Sequence, residues 1–308
     1  MDDIKECTVL PGSLVLALVA QGTLAADTGV RIAQEGSLLL IAAGERPILE
    51  YQCAPSPMKP YARRMFSPSG VQVLRDSPSD HKHHHALMFA LGADSVDFWA
   101  ETQASGLQRQ KSLSVGKSAA GFVQELEWID VRSGQPLLVE RRTVLAHGGT
   151  DRLATLVTWN SRLAVPAGRE STILTGSHYF GLGMRFVESM DKGGGFSNSD
   201  AKEGETVRGS EKLTPARWCV YTAVADGRKV TIGIFDHPAN PRHPAKMFTM
   251  TTPFAYLAAT MNLWKEPMRL NAGQDLNLMY GVAVWDGEAD RSRIEQLYQR
   301  WQRQPTER

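Results

Sequence analysis

Four of the eight histidines in this 308-residue chain fall within five positions, in Asp80-His81-Lys82-His83-His84-His85. Imidazole ligates metals and exchanges protons near neutral pH, so the run could do either. In an extended backbone His81, His83 and His85 would share one face, with His84 on the other. In a turn, which Pro78-Ser79-Asp80 encourages, His81 and His84 would point inward. His81 and His83 are candidate ligands for a divalent metal ion, given a third or fourth ligand such as His178, His237 or Asp80. His84 is a candidate catalytic base, with Arg75 and Asp80 beside it as candidate substrate contacts.

A second cluster lies downstream in Phe235-Asp236-His237-Pro238-Ala239-Asn240-Pro241-Arg242-His243-Pro244. Proline stiffens this segment, and a rigid loop at a strand end is a common place for binding residues. Asp236, His237, Arg242 and His243 are therefore expected across the site from the histidine run. A third patch, Gly176 to Phe186, sets His178 and Tyr179 among glycines that permit close backbone approach. Glu140 and Arg142 share a strand face and could hold a carboxylate base beside a cation. Trp99 could stack on a sugar ring. His84, His178 and Glu140 are the catalytic candidates.

These residues need a scaffold, and the chain reads as strands. Ser37–Ala42, Phe122–Asp130, Leu137–Leu145, Leu153–Trp159, Val230–Phe235 and Asn277–Trp285 are rich in branched and aromatic residues and bounded by turn residues. Strands recurring without intervening helices predict an all-β, mainly antiparallel sandwich in one domain spanning 26–308. Ile294, Leu297, Tyr298 and Trp301 follow helical spacing and predict a C-terminal helix over 289–303. The Gly-, Ser- and charge-rich segment Asp191–Glu211 predicts an exposed loop.

Composition narrows the function. A net charge of +1 argues against a nucleic-acid or membrane-surface partner. The apolar run Val9–Ala20 followed by Thr23-Leu24-Ala25 resembles a signal peptide over 1–25, although Asp2, Asp3 and Glu6 are unusual ahead of one. A periplasmic or secreted protein is expected. Cys53 and Cys219 read as buried thiols. No glycine-rich phosphate loop, G-x-S-x-G elbow, H-E-x-x-H or C-x-x-C occurs, so no nucleotide cofactor is expected.

Phe66-Ser67-Pro68-Ser69-Gly70, the stretch Arg75 to His84, Val96 to Trp99, Gly181 to Arg185, Phe235 to Pro244 and Tyr280 to Gly287 together resemble the bacterial PmoA-like family, labelled methane oxygenase PmoA. The likeness runs from about Val30 to Trp301. The family's usual D-H-P-H-H-R-G carries Lys82 in place of proline here, and His85-Ala86 in place of Arg-Gly. The label itself fits poorly, because methane oxygenase subunits of that name span membranes and no stretch here beyond the N-terminus approaches the ~20 apolar residues required. The resemblance implies a β-supersandwich like that of sugar mutarotases and a role in carbohydrate catabolism. The expected partner is a sugar or glycoside. The expected activity is a lyase or hydrolase acting on an oxidised (3-keto) glycoside, with possible metal assistance. The alternatives are a non-catalytic carbohydrate-binding protein, a metal-dependent oxygenase and a mutarotase-like epimerase.

Overall fold

A computed structural model describes residues 29–54, 58–116, 120–148 and 153–304. The expected signal segment and Cys7 lie outside these residues. The strands expected from sequence form, with ends shifted by a few residues: Leu38–Ala43, Gly121–Ile129, Pro136–Ala146, Thr155–Ala164, Arg228–Asp236 and Asp275–Asp286. All strand pairings described are antiparallel.

Two large sheets build the molecule. The ten-stranded sheet runs Val30–Glu35, Leu38–Ala43, Arg46–Gln52, Tyr61–Met65, Leu87–Ala90, Gly181–Arg185, Tyr256–Thr260, Lys246–Met250, Glu211–Pro215 and Glu205–Arg208. The eight-stranded sheet runs Gly195–Asn198, Trp218–Ala225, Arg228–Asp236, Asp275–Asp286, Thr155–Ala164, Pro136–Ala146, Gly121–Ile129 and Leu107–Val115. A small sheet of Met268–Asn271, Ser171–Thr175, Gly92–Ala93 and Val96–Asp97 completes the set. One apolar core holds Leu39, Tyr51 and Met184 of the first sheet together with Leu126, Val157 and Tyr280 of the second.

Strand Asp275–Asp286 illustrates how sequence makes a two-faced central strand. Leu276, Leu278, Tyr280, Val282 and Val284 face the core between the sheets. Met279, Ala283 and Trp285 point the other way, as the two-residue period requires, and join a second cluster. That cluster is completed by Ile294, Leu297, Tyr298 and Trp301 of Arg291–Trp301, the one α-helix among the described residues. Asp290 caps the helix by accepting the Arg293 N–H at 2.8 Å. Among the described residues no helix is long and apolar enough to cross a membrane. Cys53 and Cys219 are buried and unpaired.

The segment Asp191–Glu211 differs from its expected form. It carries two short strands, Gly195–Asn198 and Glu205–Arg208, each at the edge of a large sheet. Their sequences are polar because they gain pairing from the neighbouring strand and bury little of their own.

Candidate active site

The ten-stranded sheet carries the site on one face. Antiparallel register pairs Arg185 with Tyr256, Gly183 with Ala258, Met250 with Tyr256, and Leu213 with Phe248. Glu211, Phe248, Met250, Gly183, Arg185 and Tyr256 therefore share a face. Leu182, Met184, Leu257 and Ala259 alternate to the opposite side and are fully buried. Gly183 is required by its neighbours: a Cβ there would come within 2.3 Å of Tyr256 Oη.

Over this face lies the loop holding the histidine run. It is a pair of tight turns, with the His81 N–H donating to Pro78 O and the His84 N–H to His81 O. The extended reading of the run is thereby corrected. Ser77 at φ 46 and Ala86 at φ 38 close the turns in the left-handed region, and Ala86 stands where the family resemblance places glycine. His81, His83 and His84 gather, with ring centroids 4.6–5.9 Å apart. His85 turns away from them.

The cavity beneath has a volume of about 450 Å³. Its walls include the three histidines, Trp99, Tyr179, Phe248, Phe254 and Tyr256, and at the opposite side Arg208 and Glu211. His84 is 8% exposed. Burial first, then the adjoining His83 and His81, push its imidazole down to about 2, so it is neutral at any working pH. Burial and then Lys59 also hold His83 below its ordinary value. Glu211 accepts from His178 Nε2 at 3.0 Å and from Arg208 Nη2 at 2.7 Å. His178 packs between the rings of Tyr179, Phe248 and Trp264.

Behind the loop, buried His85 is held by Asp76 through Nδ1 at 2.9 Å and by Glu101 through Nε2 at 3.0 Å. Burial alone would lower its pKa; the two carboxylates outweigh it and raise the imidazole above its ordinary value. Lys59 donates to Glu101 at 2.6 Å and the Tyr61 hydroxyl to Asp76 at 2.9 Å. This charged network anchors the loop.

Several expected site residues stand elsewhere. Glu140 and Arg142 are in the core, not at the cavity. Glu140 accepts from Arg142 Nε and Nη2, Trp128 Nε1 and Ser161 Oγ, all within 2.9 Å, which leaves no oxygen for a substrate proton. Asp236 accepts from Asn240, from His243 Nδ1 and from the Ala245 N–H, each at 2.7 Å, and so ties its own loop. His237 Nε2 meets Gln302 O, and Arg242 Nη1 donates to Met261 O and Glu266 O. None of these four lines the cavity. Arg75 and Asp80 flank the histidine loop: Arg75 pairs with Glu188 at 3.2 Å, and Asp80 Oδ2 lies 3.1 Å from His81 Nδ1 and 3.8 Å from Arg185. Trp99 lines the cavity but is 2% exposed, with Phe180 stacked 5.1 Å away at 10°, so its face is not free for a sugar ring.

The metal expectation gains no ligand set. Among the described residues no three His, Cys, Asp or Glu side chains are grouped to hold an ion. His178 and His237, the expected additional ligands, are bonded to Glu211 and Gln302. Conversely, Glu211, Arg185 and Tyr256 are site residues that sequence reading passed over. Glu211 ended a segment read as loop, and Tyr256 sits in the apolar strand Tyr256–Thr260, which reads as core.

No curated protein matches the sequence. Among solved structures, the chain is similar to the galactosidase domain of an alpha-galactosidase-sucrose kinase, at 9% identity and TM-score 0.44, over 83% of this chain and 42% of that one. It is similar also to an alpha-galactosidase of Geobacillus stearothermophilus, at 10% identity and TM-score 0.38, over 84% and 41%. A polysaccharide lyase matches at 8% and 0.36, over 84% and 33%. The chain thus spans less than half the length of these carbohydrate-active enzymes. Residues 39–299, most of the chain, match DUF6807, and the protein therefore belongs to that family of unknown function.

Proposed function

We propose that the protein is a carbohydrate-active enzyme, a lyase or hydrolase that cleaves an oxidised (3-keto) glycoside by acid–base chemistry. One observation carries the reading: Glu211, backed by His178, and the neutral, buried His84 line a single aromatic-walled cavity of about 450 Å³. That volume falls in the range of small-ligand sites.

The chemistry follows from the ketone. A carbonyl at C3 acidifies the proton on C2, and a positioned carboxylate can remove it. The C–H electron pair moves into an enolate, and its return expels the glycosidic oxygen from C1. The Glu211–His178 pair can hand the same proton to that oxygen, releasing the alcohol and an unsaturated keto sugar. Addition of water to the double bond makes the overall result a hydrolysis. No electron acceptor is consumed. His84, expected from sequence to be the base, is too weak a base in this setting. As a neutral imidazole it suits hydrogen bonding to the carbonyl as charge develops, which an imidazolium would overdo by giving up its proton.

The test is release of nitrophenol from nitrophenyl 3-keto-glucosides of both anomers, with the unoxidised glucosides as controls. We expect turnover of an oxidised substrate only, and a loss of about 100-fold or more in kcat/KM for Glu211→Gln, the scale of general acid–base catalysis. Full activity in Glu211→Gln would sink the assignment. Saturable binding without any release would point instead to a carbohydrate-binding protein.

A further inference from the structure

Seven buried side-chain polar atoms among the described residues make no well-formed hydrogen bond, His81 Nδ1 among them although it lies 3.1 Å from Asp80 Oδ2. Six of them belong to His81, His84, Trp99, Tyr256 and Arg185. The first four line the cavity, and the Arg185 guanidinium lies 3.4 Å from the ring of Phe254, which also lines it. Folded proteins leave few buried polar atoms unpaired, and such atoms gathered at one cavity mark where a ligand's atoms belong.

Four of the six are donors, and the two imidazole nitrogens can donate or accept. The indole N–H of Trp99 and the Nε and Nη1 of Arg185 can only donate, and the Tyr256 hydroxyl is free to donate. Acceptors are scarce by contrast. Among the described residues Glu211 is the only carboxylate lining the cavity, and no Asp, Asn or Gln lines it. A sugar hydroxyl could accept from both Trp99 and Tyr256 only by turning its own proton away, toward a neutral imidazole or the hydroxyls of Ser210 and Thr252. An oxygen without a proton has no such cost.

We infer that Trp99 Nε1 and Tyr256 Oη form a pocket for an acceptor-only oxygen, the keto or carboxylate oxygen of an oxidised sugar, and that they set a preference for oxidised over unoxidised sugars. The inference rests on reading the cavity as a sugar site. The pocket is built rigidly. Asp97 Oδ1 accepts the backbone N–H groups of Trp99 and Ala100, fixing the main chain there, and Phe180 stacks 5.1 Å from the indole. Tyr256 fills the room left by Gly183, where a Cβ would also come within 3.0 Å of Trp99 Cη2. The rings of His84, Trp99 and Tyr256 lie 5.3–6.4 Å apart.

Calorimetric titration of the full chain with three probes tests this: methyl glucoside, methyl glucuronide carrying a C6 carboxylate, and methyl 3-keto-glucoside. We expect at least one oxidised probe to bind about 10-fold or more tightly than methyl glucoside, the worth of one or two hydrogen bonds. Which of the two does so identifies the source of the oxygen. Tyr256→Phe and Trp99→Phe should each remove most of that preference, read as the ratio of oxidised-probe affinity to methyl glucoside affinity. The melting temperature of ligand-free Tyr256→Phe should not fall, because an unpartnered hydroxyl is all that is lost. Equal binding of all three probes, binding of none, or an undiminished preference in both variants overturns the inference. The turnover assay is judged separately: selective binding without cleavage leaves the oxygen pocket standing and removes the lyase, whereas cleavage with unchanged kcat/KM in both variants does the reverse.

Discussion

The histidine run places one residue type in environments that shift its pKa in opposite directions on adjacent positions. His84 meets aromatic rings and two other imidazoles, and burial keeps it neutral. His85 is enclosed by Asp76 and Glu101 and stacked 4.3 Å from Tyr61, and the two carboxylates raise its pKa despite its burial. Ring-nitrogen NMR at pH 7 should therefore show a neutral His84 beside a protonated or partly protonated His85. His85→Gln should cost about 1–3 kcal/mol, because it takes a cation from two part-buried carboxylates, leaving Glu101 with Lys59 and Asp76 with the Tyr61 hydroxyl. The raised pKa of His85 sets the sign of the pH dependence. Its contribution is present in full below the ordinary imidazole value of about 6.5 and is lost as pH rises through the higher folded value. Glu101 is held below the usual carboxylate range by His85 and Lys59, despite its burial, so its share is lost only on the acid side. Urea unfolding at pH 6 and pH 9 would measure this; a gap between wild type and His85→Gln that is equal or wider at pH 9 contradicts it.

At the scale of elements, the Asp236–Pro244 loop shows how a chemically rich segment can be structural. Asp236 receives three hydrogen bonds of 2.7 Å, the Met279 N–H donates to Asn240 Oδ1, and the Tyr298 hydroxyl donates to the Asp236 carbonyl. The loop thus joins the end of strand Arg228–Asp236 to its neighbour Asp275–Asp286 and to the C-terminal helix. Asp236→Ala strands several of these donors, so we expect about 2–4 kcal/mol of destabilisation, seen as a fall of several degrees in melting temperature. Affinity at the cavity should not change below that melting point; a selective loss of ligand binding would return the loop to the site. Sequence periodicity carried the strands and the helix because their apolar residues alternate or recur on one face, as in Asn277–Trp285 and Ile294–Trp301. At the histidine run Pro78-Ser79-Asp80 allows the turns but does not exclude an extended backbone, which the hydrogen bonds from His81 and His84 rule out. Periodicity could not say which polar residues would meet. Glu140, Asp236 and Glu211 are all buried acids beside cations or donors, and only the packing of distant strands separates the two that are saturated from the one at a cavity wall.

At the scale of the whole molecule, the two large sheets are tied by a buried polar bridge as well as by their apolar core. Tyr51, on the ten-stranded sheet, donates to Gln124 at 2.6 Å and accepts from Arg142 at 3.1 Å, both on the eight-stranded sheet. Arg142 also reaches Pro60 O and Gln108, and Glu140 gathers Trp128 and Ser161. Removing one charge abandons the other in a site without water. Glu140→Leu and Arg142→Met should therefore each cost about 3–5 kcal/mol, whereas the double variant should cost well under their sum, since it leaves no buried charge behind. A double-mutant cycle from urea melts measures that coupling, and strict additivity would mean that the pair does not act as a unit. The same bridge decides where catalysis cannot reside. Glu140→Gln, assayed at a temperature where it stays folded, should keep the turnover of wild type, because its side chain touches no cavity wall. Loss of turnover in a folded Glu140→Gln would move the chemistry from the outer face of the ten-stranded sheet into the space between the sheets.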